Sequence, residues 1–362
     1  MAQKKLLIGA TGWFSKDTGP GYETVAFCDI DRGKLEKMGA AHPDMRMYSD
    51  FKEMLKHPGL GAVIISTPNF VHAEQAIAAL DAGKHVFLEK PMGINRGECD
   101  AIIAAQKRSG RNLTVDFEMR HSPFARRMRG FIDKQEYGKL LRIEFIHHRG
   151  GWLEQGNGIW RTRPERSGGL YFMEPIHEVD IFRFFAGEVK WVQSTVGPNC
   201  MPQYRFEDHV CSHFAFENGV MGMIYTTHTH SAVPKRNGQW QNTEEYMRAI
   251  GHDMNMIFTF ERGSVGVDMI AGKVMFNVFE EWPAGSGGFR VVQDHTEDFT
   301  CGGDFGAFFH DIASMRLEFI ERCASGRGPV QAPDDILRTH LVCLAAEQSV
   351  KEDFRRVMVE YP

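Results

Sequence analysis

Across the first 120 residues, short apolar runs alternate with helical stretches, and this alternation constrains the fold more than any other feature of the chain. Leu6–Ile8 and Thr24–Cys28 are apolar runs that end at a glycine and an aspartate. Ala62–Ser66 is β-rich and uncharged, as expected of a strand covered on both faces. His85–Leu88 and Leu113–Phe117 continue the series. The intervening stretches read as helices. Asp31 caps one that runs to Ala41. Another covers Phe70–Ala82, with Val71, Ala73, Ala76, Ile77 and Leu80 on one face and Gly83 as its stop. A third runs from the cap Asn95 to about Ser109. Parallel strands need a crossover between them, so strands and helices alternating at this spacing predict a doubly wound parallel sheet of the Rossmann type.

The pattern changes after residue 120. Leu141, Ile143 and Phe145 alternate with Arg142 and Glu144, the pattern of a half-exposed strand. Val210–Phe216 and Val220–Thr227 flank Asn218-Gly219, a hairpin signal. Met256–Phe260 and Val274–Phe279 add strands, Ala284–Gly303 reads as a long surface loop, and helices over about Gly306–Ala324 and Asp334–Lys351 end the chain. The expected fold is α/β: an N-terminal Rossmann domain over 1–120, then an α+β domain over 121–362 with an open, mainly antiparallel sheet.

The 362 residues suit two domains. The net charge is −5 and no basic block occurs, which argues against nucleic acid or an anionic membrane as partner. No apolar run is long enough to span a bilayer, and the N-terminus reads as a first strand rather than a signal peptide. Of the seven cysteines, Cys28, Cys211 and Cys343 lie in apolar stretches and read as reduced core residues, so a cytoplasmic location is expected.

Gly9-Ala10-Thr11-Gly12 follows the first strand. It is a G-x-x-G fragment, weaker than a full dinucleotide fingerprint, and by itself equally a tight turn. Asp29 ends the second strand 20 residues after Gly9, where an acid accepts ribose hydroxyls and repels a 2′-phosphate. NAD is therefore favoured over NADP, with Arg32 near enough to soften the preference. The segment between Gly12 and Thr24 leaves room for about one helical turn under a pyrophosphate.

Ser66-Thr67-Pro68-Asn69-Phe70-Val71-His72, followed by Leu88-Glu89-Lys90-Pro91, resembles the Gfo/Idh/MocA family of sugar oxidoreductases. Val115 to Arg120, Gly168-Gly169, His177-x-x-Asp180, Glu207-Asp208 and Ala345-Ala346-Glu347-Gln348-Ser349 extend the resemblance over nearly the whole chain. It implies NAD(P), a sugar or polyol substrate, a homo-oligomer, and cofactor contacts at Gly9, Thr11, Gly12, Asp29, Thr67, Pro68, Asn69, His72, Glu89, Lys90 and Glu118. Lys90, at the carboxyl end of a parallel strand, is the expected polarising group for the reacting hydroxyl, and Pro91 restricts it to extended backbone. His177, in the first turn of a helix from Pro175 to Ala186, is the expected base, with Asp180 orienting it or pairing with Lys90. Arg120, Trp160 and Arg161 read as substrate contacts, as does His177.

The chain departs from the family where many members carry an acid four residues before the histidine. Met173 stands there, Glu174 follows it about 100° around the helix, and Pro175 replaces a common glycine. These changes point away from a simple inositol or glucose dehydrogenase and toward a glycoside, with C3 as the hydroxyl oxidised. His147, His148, His228 and His230 read as lining a sugar cleft or a subunit interface rather than a metal site. Three readings remain: a sugar or glycoside dehydrogenase, an NAD-using glycosidase or lyase with transient C3 oxidation and no net redox, and a non-catalytic NAD sensor.

Overall fold

The computed structural model describes residues 5–12, 16–149, 160–229, 253–299, 308 and 310–362. Two compact units divide the chain. The first comprises Met1–Asp116, Glu165–Gly168 and Ile312–His340, and the second Phe117–Pro164, Gly169–Asp311 and Leu341–Pro362.

The first unit is built on seven strands: β1 (Leu6–Gly12), β2 (Thr18–Gly19), β3 (Tyr22–Cys28), β4 (Arg46–Tyr48), β5 (Leu60–Ser66), β6 (His85–Leu88) and β7 (Leu113–Val115). Six of them run parallel in the order β4-β3-β1-β5-β6-β7, the Rossmann order with its switch point between β1 and β5. β5 and β6 bury most of their residues and β1 its run Ile8–Thr11, which is why their sequences are continuous apolar runs. The helix Asn69–Asp81 turns Asn69, His72, Ala76, Ala79 and Leu80 inward, the spacing of a single helical face.

The first crossover differs from expectation. Its described residues form β2, which pairs antiparallel with β3, in place of a turn of phosphate-binding helix. The helix Ile312–Ala324 instead places Met315, Phe319, Ile320 and Cys323 against Ile8, Ala10, Phe27, Ala62, Ile64 and Phe87 of the sheet. Each large apolar side chain so buried contributes roughly 1.5–3 kcal/mol. A domain boundary at residue 120 would strip this cover from the Rossmann sheet: residues 312–340 fall in the first unit, whereas the sequence reading keeps 121–362 together.

In the second unit nine strands form one sheet, in the order β15-β14-β13-β12-β8-β11-β10-β9-β16. These are β8 (Leu140–His148), β9 (Val189–Thr195), β10 (His209–Phe216), β11 (Met221–Thr227), β12 (Asp253–Phe260), β13 (Gly263–Asp268), β14 (Lys273–Glu281), β15 (Phe289–Asp298) and β16 (Val357–Met358). Only β8 and β11 pair in parallel. The Asn218-Gly219 hairpin forms as expected, with Gly219 at φ 88°. On one face of the sheet, the helix Pro123–Asp133 packs Phe124 and Phe131 against Phe258, Phe260 and Phe276. Leu141, Met221, Ile257, Met275 and Val291 are exposed. Within the loop expected over Ala284–Gly303, Phe289–Asp298 forms β15, paired along β14. Almost every β15 residue is exposed, so the strand carries no burial alternation for the sequence to display.

Candidate active site

The candidate residues divide between the two units. In the first, β1 runs on through Gly12, so Gly9 lies inside a strand beside Ala26 and Val63 rather than in a turn. Gly12 is the position that demands glycine: φ is +70°, and a Cβ would stand 1.8 Å from the Ser66 carbonyl oxygen. Thr11 is buried, and its hydroxyl accepts the Ser66 N–H at 3.3 Å, so its side chain joins β1 to β5.

Asp29 follows β3 as expected. Its Oδ1 accepts the Asp31 N–H at 3.0 Å, and its Oδ2 pairs with Lys34 Nζ at 2.5 Å. Lys34 also donates to the Gly12 carbonyl at 2.9 Å, tying the ends of β1 and β3 together. The cation beside Asp29 is thus Lys34, in the first turn of the helix Arg32–Ala41, and not the Arg32 the sequence suggested. A preset carboxylate at this strand end suits ribose hydroxyls, and the adenosine end of NAD fits these residues.

Thr67, Pro68 and Asn69 lie where β5 meets its helix. The Thr67 hydroxyl donates to Gln75 at 2.8 Å, and the Asn69 amide donates to the Ser167 carbonyl at 2.8 Å. His72 is fully buried, with Nδ1 2.7 Å from the Pro91 carbonyl oxygen and Nε2 2.8 Å from that of Thr67. His72, expected as a cofactor contact, lies between two loops, with its ring facing a carbonyl of each. Glu89 and Lys90 follow β6, half-buried at the carboxyl edge of the sheet.

In the second unit, the helix Ile176–Ala186 presents His177 in its first turn and ends at Gly187 with φ 88°. His177 Nδ1 lies 3.4 Å from Glu118 Oε2, and the other Glu118 oxygen contacts His310 Nδ1. Burial pushes the Glu118 carboxyl up, but the charges of His177 and His310 and the bond to His310 outweigh it and hold the group at about 2. Glu118, read from the sequence as a cofactor contact, is 2 % exposed and faces the proposed base. Asp180, expected to orient His177 or to pair with Lys90, accepts both arms of Arg120 at 2.5 and 2.6 Å. Arg120, expected as a substrate contact, is thereby engaged in a largely buried ion pair. Trp160 is buried under the Arg161 guanidinium, 4.6 Å from the ring centroid.

Glu174 contacts Arg149, His147 Nδ1 meets Glu178 at 2.7 Å, and His228 Nδ1 meets the Tyr204 hydroxyl at 2.8 Å. Burial depresses the Arg149 pKa to about 10. His230 lies outside the described residues. Among the described residues, no group of three His, Cys, Asp or Glu is placed to hold a metal, and no helix is long and apolar enough to cross a membrane. The sequence reading missed Lys34, His310 and His340. His340 had the one usable signal, a histidine on the apolar face of a helix, whereas His310 stands 192 residues from its partner Glu118.

Residues 6–117 match the model of the oxidoreductase family with an NAD-binding Rossmann fold, and residues 125–251 match the GFO/IDH/MocA C-terminal domain. The chain belongs to the Gfo/Idh/MocA oxidoreductase family. It is 30% identical over 212 residues to a 1-carboxy-3-chloro-3,4-dihydroxycyclohexa-1,5-diene dehydrogenase of Comamonas testosteroni, covering 58% of this chain and 52% of that one. It is 25% identical over 337 residues to the scyllo-inositol 2-dehydrogenase (NAD(+)) of Bacillus subtilis, covering 92% and 87%. The chain spans about half the length of several of the curated relatives it matches. Levoglucosan dehydrogenase in complex with NADH superposes with a TM-score of 0.75 at 19% identity, over 99% of this chain and 100% of that one, a likeness of fold.

Proposed function

We propose that this protein is an NAD-dependent dehydrogenase of a sugar or polyol alcohol, with Lys90 and His177 handling the proton. The observation that carries this reading is Lys90, flanked by Glu89 and Pro91 at the carboxyl end of β6 in a Rossmann sheet of NAD-binding order. Bound NAD would accept hydride from the alcohol carbon. Glu89, Thr67, Pro68 and Asn69 line the strand ends where the nicotinamide half is expected, and Asp29 holds the adenosine ribose. Lys90 donates a hydrogen bond to the reacting oxygen and stabilises negative charge as it develops there. His177 takes the hydroxyl proton, and the full carboxylate charge of Glu118 stabilises the imidazolium that forms. That charge exceeds the half charge of the opposing helix end. Trp160 and Arg161 supply an apolar face and donors for the ring. The relatives act on inositols and levoglucosan by name, which supports a cyclic polyol or glycoside, with C3 of a glycoside as the finer reading. The exposed face of the β8–β15 sheet supports a homo-oligomer that covers it.

One observation favours a second reading, transient oxidation followed by elimination. His147–Glu178 is another carboxylate-backed imidazole in the second unit, as such a reaction needs at the neighbouring carbon. The test is a panel of scyllo-inositol, myo-inositol, levoglucosan and methyl glucosides with NAD, following absorbance at 340 nm and product mass together. NADH formation that collapses by about 10²-fold or more in Lys90→Ala supports the dehydrogenase. Glycoside cleavage without NADH accumulation supports the second reading. Full turnover in Lys90→Ala overturns both.

A further inference from the structure

We propose that His72 and His340 are positioning residues that pin the Lys90–Pro91–Met92 turn from two sides. The inference rests on the reading of Lys90 as the hydroxyl-polarising group. His72 lies one turn into the helix after β5, and its ring is fully buried. Its two nitrogens face two loop carbonyls, Nδ1 that of Pro91 at 2.7 Å and Nε2 that of Thr67 at 2.8 Å; burial keeps the ring neutral, so its single N–H donates to one of them in each tautomer. The imidazole therefore spans the carboxyl ends of adjacent parallel strands, joining the Thr67-Pro68-Asn69 turn after β5 to the Lys90 turn after β6.

His340 meets the same turn one residue further on. Its Nε2 accepts the Met92 N–H at 2.8 Å, and its Nδ1 faces the Ile336 carbonyl at 2.9 Å. A carbonyl at Nδ1 selects the Nδ1–H tautomer and leaves Nε2 as the acceptor that the Met92 amide requires. His340 is also fully buried. The Pro91 carbonyl and the Met92 amide belong to one peptide unit, so both polar atoms of that unit are held by side chains from two different helices. Lys90 is the residue just before Pro91, so the pinned peptide begins one residue after it.

Amide side chains separate the contacts. Asparagine carries its amide nitrogen where Nδ1 sits, and glutamine carries its amide group where Nε2 sits. His72→Asn keeps a donor for Pro91 and loses Thr67. His72→Gln does the reverse. His340→Gln keeps an acceptor for Met92, and His340→Leu loses it. Hydrogen exchange by mass spectrometry reads each segment without any substrate, and NADH titration by fluorescence reads the cofactor loop. His72→Gln and His340→Leu are expected to speed exchange over 88–94 by about tenfold or more, while His72→Asn and His340→Gln stay near wild type there. His72→Asn is expected to loosen 66–70 and weaken NADH binding. Uniform loosening of both segments in all four variants, in step with lost thermal stability, overturns the proposal. If the variants do not fold, the Met92 amide of the wild-type protein decides: slow exchange supports the pin, and exchange at the rate of an open loop overturns it. Loss of the dehydrogenase reading through Lys90→Ala would leave these exchange results standing, so the two failures are distinct.

Discussion

Glu118 Oε2 stands 3.4 Å from His177 Nδ1, and the carboxylate is almost completely buried. The family's usual acid, four residues before the histidine, is Met173 here, and the carboxylate that faces the imidazole comes instead from the 3₁₀ turn Glu118–His121. A carboxylate at Nδ1 favours the tautomer that leaves Nε2 as the proton acceptor in the proposed reaction, and it offsets the charge gained on protonation. Glu118→Gln keeps the shape and removes the charge. Its kcat is expected to fall by about 10–100-fold with KM little changed, because the charge matters most once the proton has moved. Steady-state kinetics with the best substrate of the panel checks this, and an unchanged kcat would remove Glu118 from the proton chemistry.

Arg120 and Asp180 form a bidentate pair whose two side chains are 13% and 2% exposed. Taking away one partner leaves the other charge buried and uncompensated. Arg120→Met is expected to cost about 3–5 kcal/mol of unfolding free energy, Asp180→Asn less, and the double variant Arg120→Met with Asp180→Leu to recover most of the loss. Urea denaturation of the three proteins measures it. If Arg120 touched substrate instead, Arg120→Met would raise KM at unchanged stability.

Much of this architecture was legible in the residues, for physical reasons that also explain the rest. Strands covered on both faces read as unbroken apolar runs, so β5 and β6 stood out, and the Asn-Gly turn marked β10 and β11. β15 was read as loop because it buries almost nothing, and the cover that Ile312–Ala324 gives the Rossmann sheet depends on contacts some 300 residues apart in sequence. The Glu89-Lys90-Pro91 and His177-x-x-Asp180 stretches were visible as motifs. Their partners were not: Asp180 turned to Arg120 rather than His177, and His72 bonds backbone carbonyls, which every residue owns and no motif advertises.

Glu347 adds a pH dependence that can be tested in the second unit. It accepts the Tyr171 N–H at 3.0 Å and lies where a Cβ on Gly169, at φ +98°, would strike its carboxylate. Burial raises its pKa from 4.5 to about 7. The folded protein therefore holds a proton that the unfolded chain has released above pH 4.5, and stability falls as pH rises from about 4.5 to about 7. Glu347→Gln retains an acceptor for Tyr171 and abolishes the titration. It is expected to leave stability near wild type at pH 4.5 and to gain up to about 3 kcal/mol at pH 8. Thermal unfolding of both proteins across this range checks it, and a constant offset at all pH values would refute the assignment.

Lys34 sets the charge at the adenosine end. Its ammonium is 2.5 Å from Asp29 Oδ2, so the carboxylate that would repel a 2′-phosphate is largely neutralised. Lys34→Met uncovers that charge. At a separation of about 5 Å in a partly solvated site, the exposed carboxylate disfavours a phosphate by roughly 1–3 kcal/mol. NADPH binding is therefore expected to weaken about tenfold or more relative to NADH. Lys34 also holds the Gly12 carbonyl, so NADH affinity should fall as well, by a smaller factor common to both cofactors. Parallel fluorescence titrations of the two reduced cofactors separate these effects: the ratio reports the charge at Asp29, and the shared loss reports the tie to β1. An unchanged ratio would mean that the 2′ position lies beyond the reach of Asp29, and cofactor choice would then have to come from another residue.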